Sequence, residues 1–342
     1  MEVQVSRSVS TPVVTTKGAR LVSHAGVGML AELADLSGLT AGLTSLFEPK
    51  DRRHAPGVTL VRAASAIADG MRNVSTVSLF CGSRPTIFAE PASRSTVART
   101  VIEFGHDLMT PRLDELMATV RRTVWDAAGY APESLILDVD ATLLNVHSDK
   151  QDAAPTFKRG FGFHPLAMFL NETREPLAMI FGPGNAGSNT AADHCDVLMR
   201  SIDQLPAEYR AGHEHGDPPQ TAIHPILVRS DAAGSTKAFL AELVGRNIEF
   251  SVGFQVNDQY RALIEQMPDE AWTRAINTDG TPRRKAEVVE LCGFTGLNGW
   301  PGSPAVVPSR RTPPRSETLT VRPGPRPAPH PLPHQHPRPQ RC

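Results

Sequence analysis

Cysteine is scarce in this chain and scattered. Its four residues, at 81, 195, 292 and 342, match neither a disulfide framework nor a zinc-ligand spacing, so they read as isolated thiols. No apolar run reaches bilayer length and the N-terminus has no signal-peptide apolar core, so the expected compartment is the cytoplasm, with no membrane partner. A large basic surplus is missing as well. The formal charge is −1, yet 301–342 holds seven Arg against one acid, Glu317. The first 130 residues hold 14 Lys and Arg against 12 acids, leaving 131–300 at a net of −9. A strong nucleic-acid footprint would lean the other way, and only the N-terminal part leans weakly basic. Gly182-Pro183-Gly184-Asn185-Ala186-Gly187 precedes a helical pattern but lacks the Lys-Ser/Thr of a nucleotide-binding loop, and nothing suggests an organic cofactor.

What is present divides the chain in three. Residues 1–130 read as a helical N-terminal domain. Leu30, Leu33, Ala34 and Leu36 recur at helical spacing, Ser37-Gly38 interrupts, and Leu39, Leu43, Leu46 and Phe47 resume it. Further helices are expected near 57–72, 93–104 and 111–128, the last with Leu113, Leu116, Val120 and Val124 on one stripe. Such a domain is a candidate for holding DNA, although adjacent amphipathic helices more often only pack together. From 131 the composition turns to strands, and 131–300 reads as a second domain. In 301–342 lie 13 of the 30 prolines and few large apolar residues, which leads to an expectation of disorder or of a translated out-of-frame stretch.

The second domain is organised around residues 135–146, LILDVDATLLNV. Alternate side chains of a strand share a face, so Asp138 and Asp140 project together. Acids inside an apolar strand need a compensating charge, and a divalent metal is a common one. Strands at 164–170 and 177–181, a helix near 189–204 with Asn189 as N-cap, a strand ending in Ser230-Asp231, a helix at 235–246 and a strand at 248–256 give the order β-β-β-α-β-α-β. That order belongs to an RNase H-like α+β or α/β fold, in which the first strand lies beside the fourth. Asp140 and Asp231, 91 residues apart, would then converge. Converging carboxylates can hold two Mg²⁺ ions about 4 Å apart and serve phosphodiester chemistry.

Asp138-Val139-Asp140-Ala141-Thr142, the block 157–166 (FKRGFGFHPL), the loop 183–189 (PGNAGSN) and 228–234 (VRSDAAG) resemble DDE-type insertion-sequence transposases. The likeness runs from about Gly26 to Trp300 and is nearest to insertion sequence family thirteen-eighty. It implies DNA transposition by strand cleavage and transfer at terminal inverted repeats and into target DNA. It also implies a two-metal Mg²⁺ or Mn²⁺ site and a homodimeric synaptic complex on DNA in the nucleoid. By the same resemblance Asp140 and Asp231 match the first two catalytic carboxylates, and Lys158 and Arg159 approach the DNA backbone; Asp138, on the same strand face as Asp140, is a further candidate metal ligand. The family's third acid sits in a Tyr-x2-Arg-x3-Glu-x6-Lys pattern absent here. Glu287 and Glu290 lack its flanks, which implies a truncated copy with little strand transfer.

Two alternatives compete. LILDVDATL also fits the opening of haloacid-dehalogenase-like phosphatases, with Asp138 as nucleophile and Asp140 as acid/base, but their later Asp motifs are missing and their first strand feeds a helix. A non-catalytic DNA-binding transposase remnant is the other. His213-x-His215 with His224 could ligate a metal, but their Gly/Pro/Glu-rich loop suggests solvent exposure instead.

Overall fold

The computed structural model describes residues 24, 26–105, 110–149, 151–156, 158–185, 190–255, 258–277, 279–289, 304–311 and 318–323. The chain forms two compact units. One comprises Met1–Pro132 and Met199–Arg210, the other Glu133–Leu198 and Ala211–Cys342. Among the described residues no helix is long and apolar enough to cross a membrane.

The first unit is helical, with α1 (Val27–Leu36), α2 (Leu39–Ser45), α3 (Pro56–Ala68), α4 (Val74–Gly82), α5 (Arg94–Phe104) and α6 (Thr110–Ala128). Local chemistry sets the boundaries. Proline opens α3 at its first position, where the missing N–H costs nothing. Ser93 caps α5 by accepting from the Thr96 N–H. The helix expected near 57–72 stops four residues early, at Ala68, before Asp69-Gly70. The sequence reading missed α4, because its Ser/Thr-rich run VSTVSLFCG hides the periodicity. An Asn73–Thr76 capping box starts it all the same. Two apolar clusters hold the unit. Val27, Ala66, Val77, Phe80, Phe88 and Val97 form one. Ala34, Leu43, Leu46, Phe47 and Val61 form the other.

The second unit is built on a mixed sheet. Its strands are β1 (Leu135–Ala141), β2 (Leu144–Asn145), β3 (Ala154–Pro155), β4 (Phe161–Phe163), β5 (Leu166–Leu170) and β6 (Pro176–Ile180). After α7 (Ala191–Asp203) and the single turn α8 (Ala207–Arg210), of which the stretch Met199–Arg210 belongs to the first unit, come β7 (Ile226–Ser230), α9 (Lys237–Gly245), β8 (Glu249–Gln255) and α10 (Asp258–Glu265). The last strands are β9 (Thr273–Ile276), β10 (Pro282–Val288), β11 (Pro304–Arg311) and β12 (Thr318–Pro323). Among the described residues the main sheet runs β6-β5-β1-β7-β8-β12-β11-β10-β9, and β2-β4-β3 form a small second sheet. β5 is antiparallel to β1, whereas β7 and β8 follow β1 in parallel. The first long strand thus lies beside the fourth, the pairing expected from the element order.

Burial along β1 alternates. Leu135, Leu137 and Val139 are buried with Ile226, Val228, Phe239, Leu240, Phe250 and Val252, and each such aliphatic or aromatic side chain contributes about 1.5–3 kcal/mol. Asp138 and Asp140 occupy the other face. The expectation for 301–342 meets a different picture in two places, because 304–311 and 318–323 form the β11–β12 hairpin beside β8. Their Val306-Val307 and Leu319-Thr320-Val321 runs carry β-prone residues that the surrounding prolines masked. The rest of 301–342 lies outside the described residues. So does Asn189, and next to it Thr190 and Asp193 cap α7 reciprocally.

Candidate functional site at the ends of two parallel strands

The β1–β7 register pairs Asp138 with Arg229 and Val139 with Ser230. One residue further come Asp140, near the carboxyl end of β1, and Asp231, just past the carboxyl end of β7. Parity puts Asp138, Asp140, Arg229 and Asp231 on one face. Both outer acids are exposed. Asp140 Oδ1 accepts from the Ala141 N–H at 2.8 Å. Asp231 Oδ1 accepts from the Ala233 N–H at 2.9 Å and so caps a 3₁₀ turn, Ala232–Gly234. That turn folds back on Ser230, whose side chain would collide with any Cβ at Gly234. Each acid is therefore anchored by one oxygen, and the second oxygen accepts nothing from the described residues.

One step back along the strands the situation reverses. Arg229 Nε donates to Asp138 Oδ1 at 2.6 Å, and its Nη2 donates to Asp138 Oδ2 at 2.7 Å. The same Nη2 donates to Asn171 Oδ1 at 2.7 Å, while the Asn171 N–H bonds to the Ile136 carbonyl. Arg229 thereby reaches from β7 over β1 to the β5–β6 turn. The fork with Asp138 raises the guanidinium pKa above its already high ordinary value. Both oxygens of Asp138 are engaged, unlike those of Asp140 and Asp231. Sequence reasoning named Asp138 as a metal ligand and missed Arg229 and Asn171. A visible signal existed, since Arg229 stands two residues before Asp231 just as Asp138 stands two before Asp140.

The other residues singled out from sequence lie elsewhere. Lys158 and Arg159 are exposed in the turn joining β3 to β4, with Arg159 at φ 63°. β2, β4 and β3 pair with one another in a sheet separate from the one that carries the acids. Gly162, at φ 153°, lets β4 press against the Leu144 carbonyl, which no side chain would tolerate. The glycine loop starting at Gly182 is sewn to β4, with the His164 N–H bonded to the Gly182 carbonyl and the Gly184 N–H to that of Asp152. Residues 186–189 lie outside the described residues. Glu287 lies on β10, four strands from β7, about 19 Å away at the usual strand spacing. Glu290 lies outside the described residues. In the histidine loop His215 is exposed, as expected, and His224 is half-buried, while His213 corrects the expectation of solvent exposure. His213 is 1% exposed, with Nδ1 at 2.9 Å from the Arg246 carbonyl and Nε2 at 3.0 Å from the His224 carbonyl, so neither nitrogen is free for a metal.

Two exposed carboxylates, each with an unengaged oxygen, offer the hard oxygen donors that suit Mg²⁺ or Mn²⁺. Among the described residues no group of three or more His, Cys, Asp or Glu gathers where it could hold a metal ion. The donor set fits such an ion as two ligands.

The fold and this face define a class: a mixed α+β protein with an acidic pair at the ends of adjacent parallel strands. The chain belongs to the family described as "Transposase DDE domain group 1", which matches residues 5–301. No curated protein matches the chain. Among solved structures, the piggyBac transposase synaptic complex with hairpin DNA is 13% identical with a TM-score of 0.40, covering 84% of this chain and 57% of that one. The Mos1 mariner paired end complex with Mn is 10% identical with a TM-score of 0.22, covering 60% of each chain. A pre-cleavage Mos1 transpososome is 9% identical with a TM-score of 0.23 and the same coverage. The chain spans less than two thirds of the length of these solved chains. The membership and the antiparallel β1–β5 pairing weigh against the phosphatase alternative. So do the run of β1 into further strands and the Arg229 fork on Asp138, its would-be nucleophile.

Proposed function

We propose that this chain is a DDE-type transposase with an RNase H-like catalytic domain. In this reading it cleaves and transfers DNA strands at the terminal repeats of an insertion element of the thirteen-eighty group, through a divalent metal site at Asp140 and Asp231. One observation supports the reading: β1 and β7 pair in parallel up to Val139–Ser230, so two acids 91 residues apart in sequence follow directly at the carboxyl ends of neighbouring strands. A bound Mg²⁺ or Mn²⁺ pair would activate water or a 3′-hydroxyl and stabilise the leaving oxygen of a phosphodiester. The protein's own part is positional. The Ala141 and Ala233 N–H groups fix the carboxylates, and the turn at Gly234 keeps Asp231 at the strand end. Lys158 and Arg159 would lie along the DNA backbone, and the helical unit would hold the ends, in a homodimeric complex in the nucleoid. Because Glu287 is remote, joining of strands by this chain is expected to be slight.

The test uses labelled DNA ending in the element's terminal repeats. The expected result is retention in gel shift that survives salt steps and prefers the repeat, with Mn²⁺-dependent nicking lost in Asp140→Asn and Asp231→Asn. Retention that ignores sequence or vanishes at moderate salt overturns the DNA-end reading. Nicking unchanged in either variant overturns the site. Retention without nicking would make the chain the non-catalytic remnant, and efficient joining would overturn the expectation of weak strand transfer.

A further inference from the structure

Three acids, Asp138, Asp140 and Asp231, share one face, yet they are treated differently. Asp140 and Asp231 are each held by a single backbone N–H, which leaves an oxygen for a ligand. Asp138 is held by a planar guanidinium through two parallel charge-assisted bonds, the strongest and most directional hydrogen-bond geometry open to a carboxylate. The guanidinium is locked from behind by Asn171. A cation approaching Asp138 must break two short bonds and meet a fixed positive charge already in place. The Asp140–Asp231 pair lies one alternate-residue step along the strands, about 7 Å away, so it escapes that block.

We propose that Arg229 is a built-in counter-cation that withholds Asp138 from metal and limits the site to Asp140 and Asp231. The inference rests on the metal reading of that pair and deepens it. Arg229 is a positioning residue, since it acts through Asp138 and through the alignment of β1 with β7. In Arg229→Gln an unpaired Asp138 becomes available next to the pair, and its extra negative charge draws a dication. The double variant Asp138→Asn/Arg229→Gln removes the pair's two opposite charges together, so it leaves the site's net charge and its two ligands unchanged.

Mn²⁺ binding to the full chain, followed by calorimetry and by the electron paramagnetic resonance of free Mn²⁺, decides the matter. The expected pattern is binding weakened at least about tenfold in Asp140→Asn and Asp231→Asn and tightened about tenfold in Arg229→Gln. The double variant is expected to return within about twofold of wild type. Loss of binding in the double variant to the level of Asp140→Asn would make Asp138 a ligand and overturn the proposal. So would an Arg229→Gln protein that binds like wild type. If Arg229→Gln fails to fold, the double variant, whose two amides still pair, carries the test alone. If Asp140→Asn binds normally while Arg229→Gln still tightens through Asp138, the Asp140–Asp231 reading falls and the withholding role stands. Binding in none of the proteins overturns both.

Discussion

Two polar clusters of the second unit, one at Asp140–Asp231 and one at His213, drew suspicion from sequence for the same reason: ligand-type residues close together. The structure separates them by what each side chain has left to give. Both acids are exposed and half-engaged. His213 is buried and spends both ring nitrogens on carbonyls of segments far apart in the chain, Arg246 and His224. A group with spare coordination capacity facing solvent can act on something else, whereas a group with none holds the protein together. Asp138 stands between the two cases, at the right place for a site and with the bonding of a strut.

The largest effect that would sharpen this contrast is on stability. His213→Ala is expected to cost about 2–4 kcal/mol, because it opens a cavity at a buried ring and removes its contacts with the Arg246 and His224 carbonyls. Mn²⁺ affinity should not move. Thermal unfolding and metal titration of the same protein check it, and an intact melting temperature would break the comparison. A smaller effect is expected at the back of the Arg229 fork. Asn171→Ala removes one solvent-exposed charge-assisted bond and the strap across β1, for a loss of about 0.5–1 kcal/mol in denaturant unfolding. Asn171→Asp should recover most of it, since a carboxylate accepts from the same Nη2.

The smallest effect concerns the other Arg–carboxylate fork, in the helical unit. Arg52 donates to both oxygens of Glu103 at 3.0 and 2.7 Å and holds that carboxyl below its ordinary pKa. A depressed folded pKa means stability that is present above the unfolded value, about 4.3, and lost as pH falls through the folded one. Glu103→Gln should therefore lower stability by less than about 1 kcal/mol near neutrality, and the difference should close as pH falls through the depressed folded pKa. A difference that persists in acid would show packing rather than charge at work.

The sequence reading found what periodicity and order could carry. The alternation of Leu135, Leu137 and Val139 against Asp138 and Asp140 is a local rule of strands, and the β-β-β-α-β-α-β order constrained which strands could meet. Local rules failed where identity gave no period. VSTVSLFCG hid α4, and β2, β3 and β4 are two or three residues long, stabilised by pairing rather than by their own pattern. Prolines around Val306 and Val321 masked a hairpin whose partners lie on β8. Arg229 was overlooked for a different reason: its partner is 91 residues away, and only the register between two strands reveals it.

The parallel pairing of β1 with β7 also has a temporal side. Asp140 emerges during synthesis some 90 residues before Asp231, and at about 5–20 residues per second that gap lasts several seconds. Through that interval the nascent chain carries one lone acid and an unpaired strand edge, so whatever the pair does cannot begin on a half-made polypeptide. Any fragment ending before Ile226 would lack both Asp231 and the β1–β7 pairing. The geometry thus acts as its own safety catch, released only when the chain has closed upon itself.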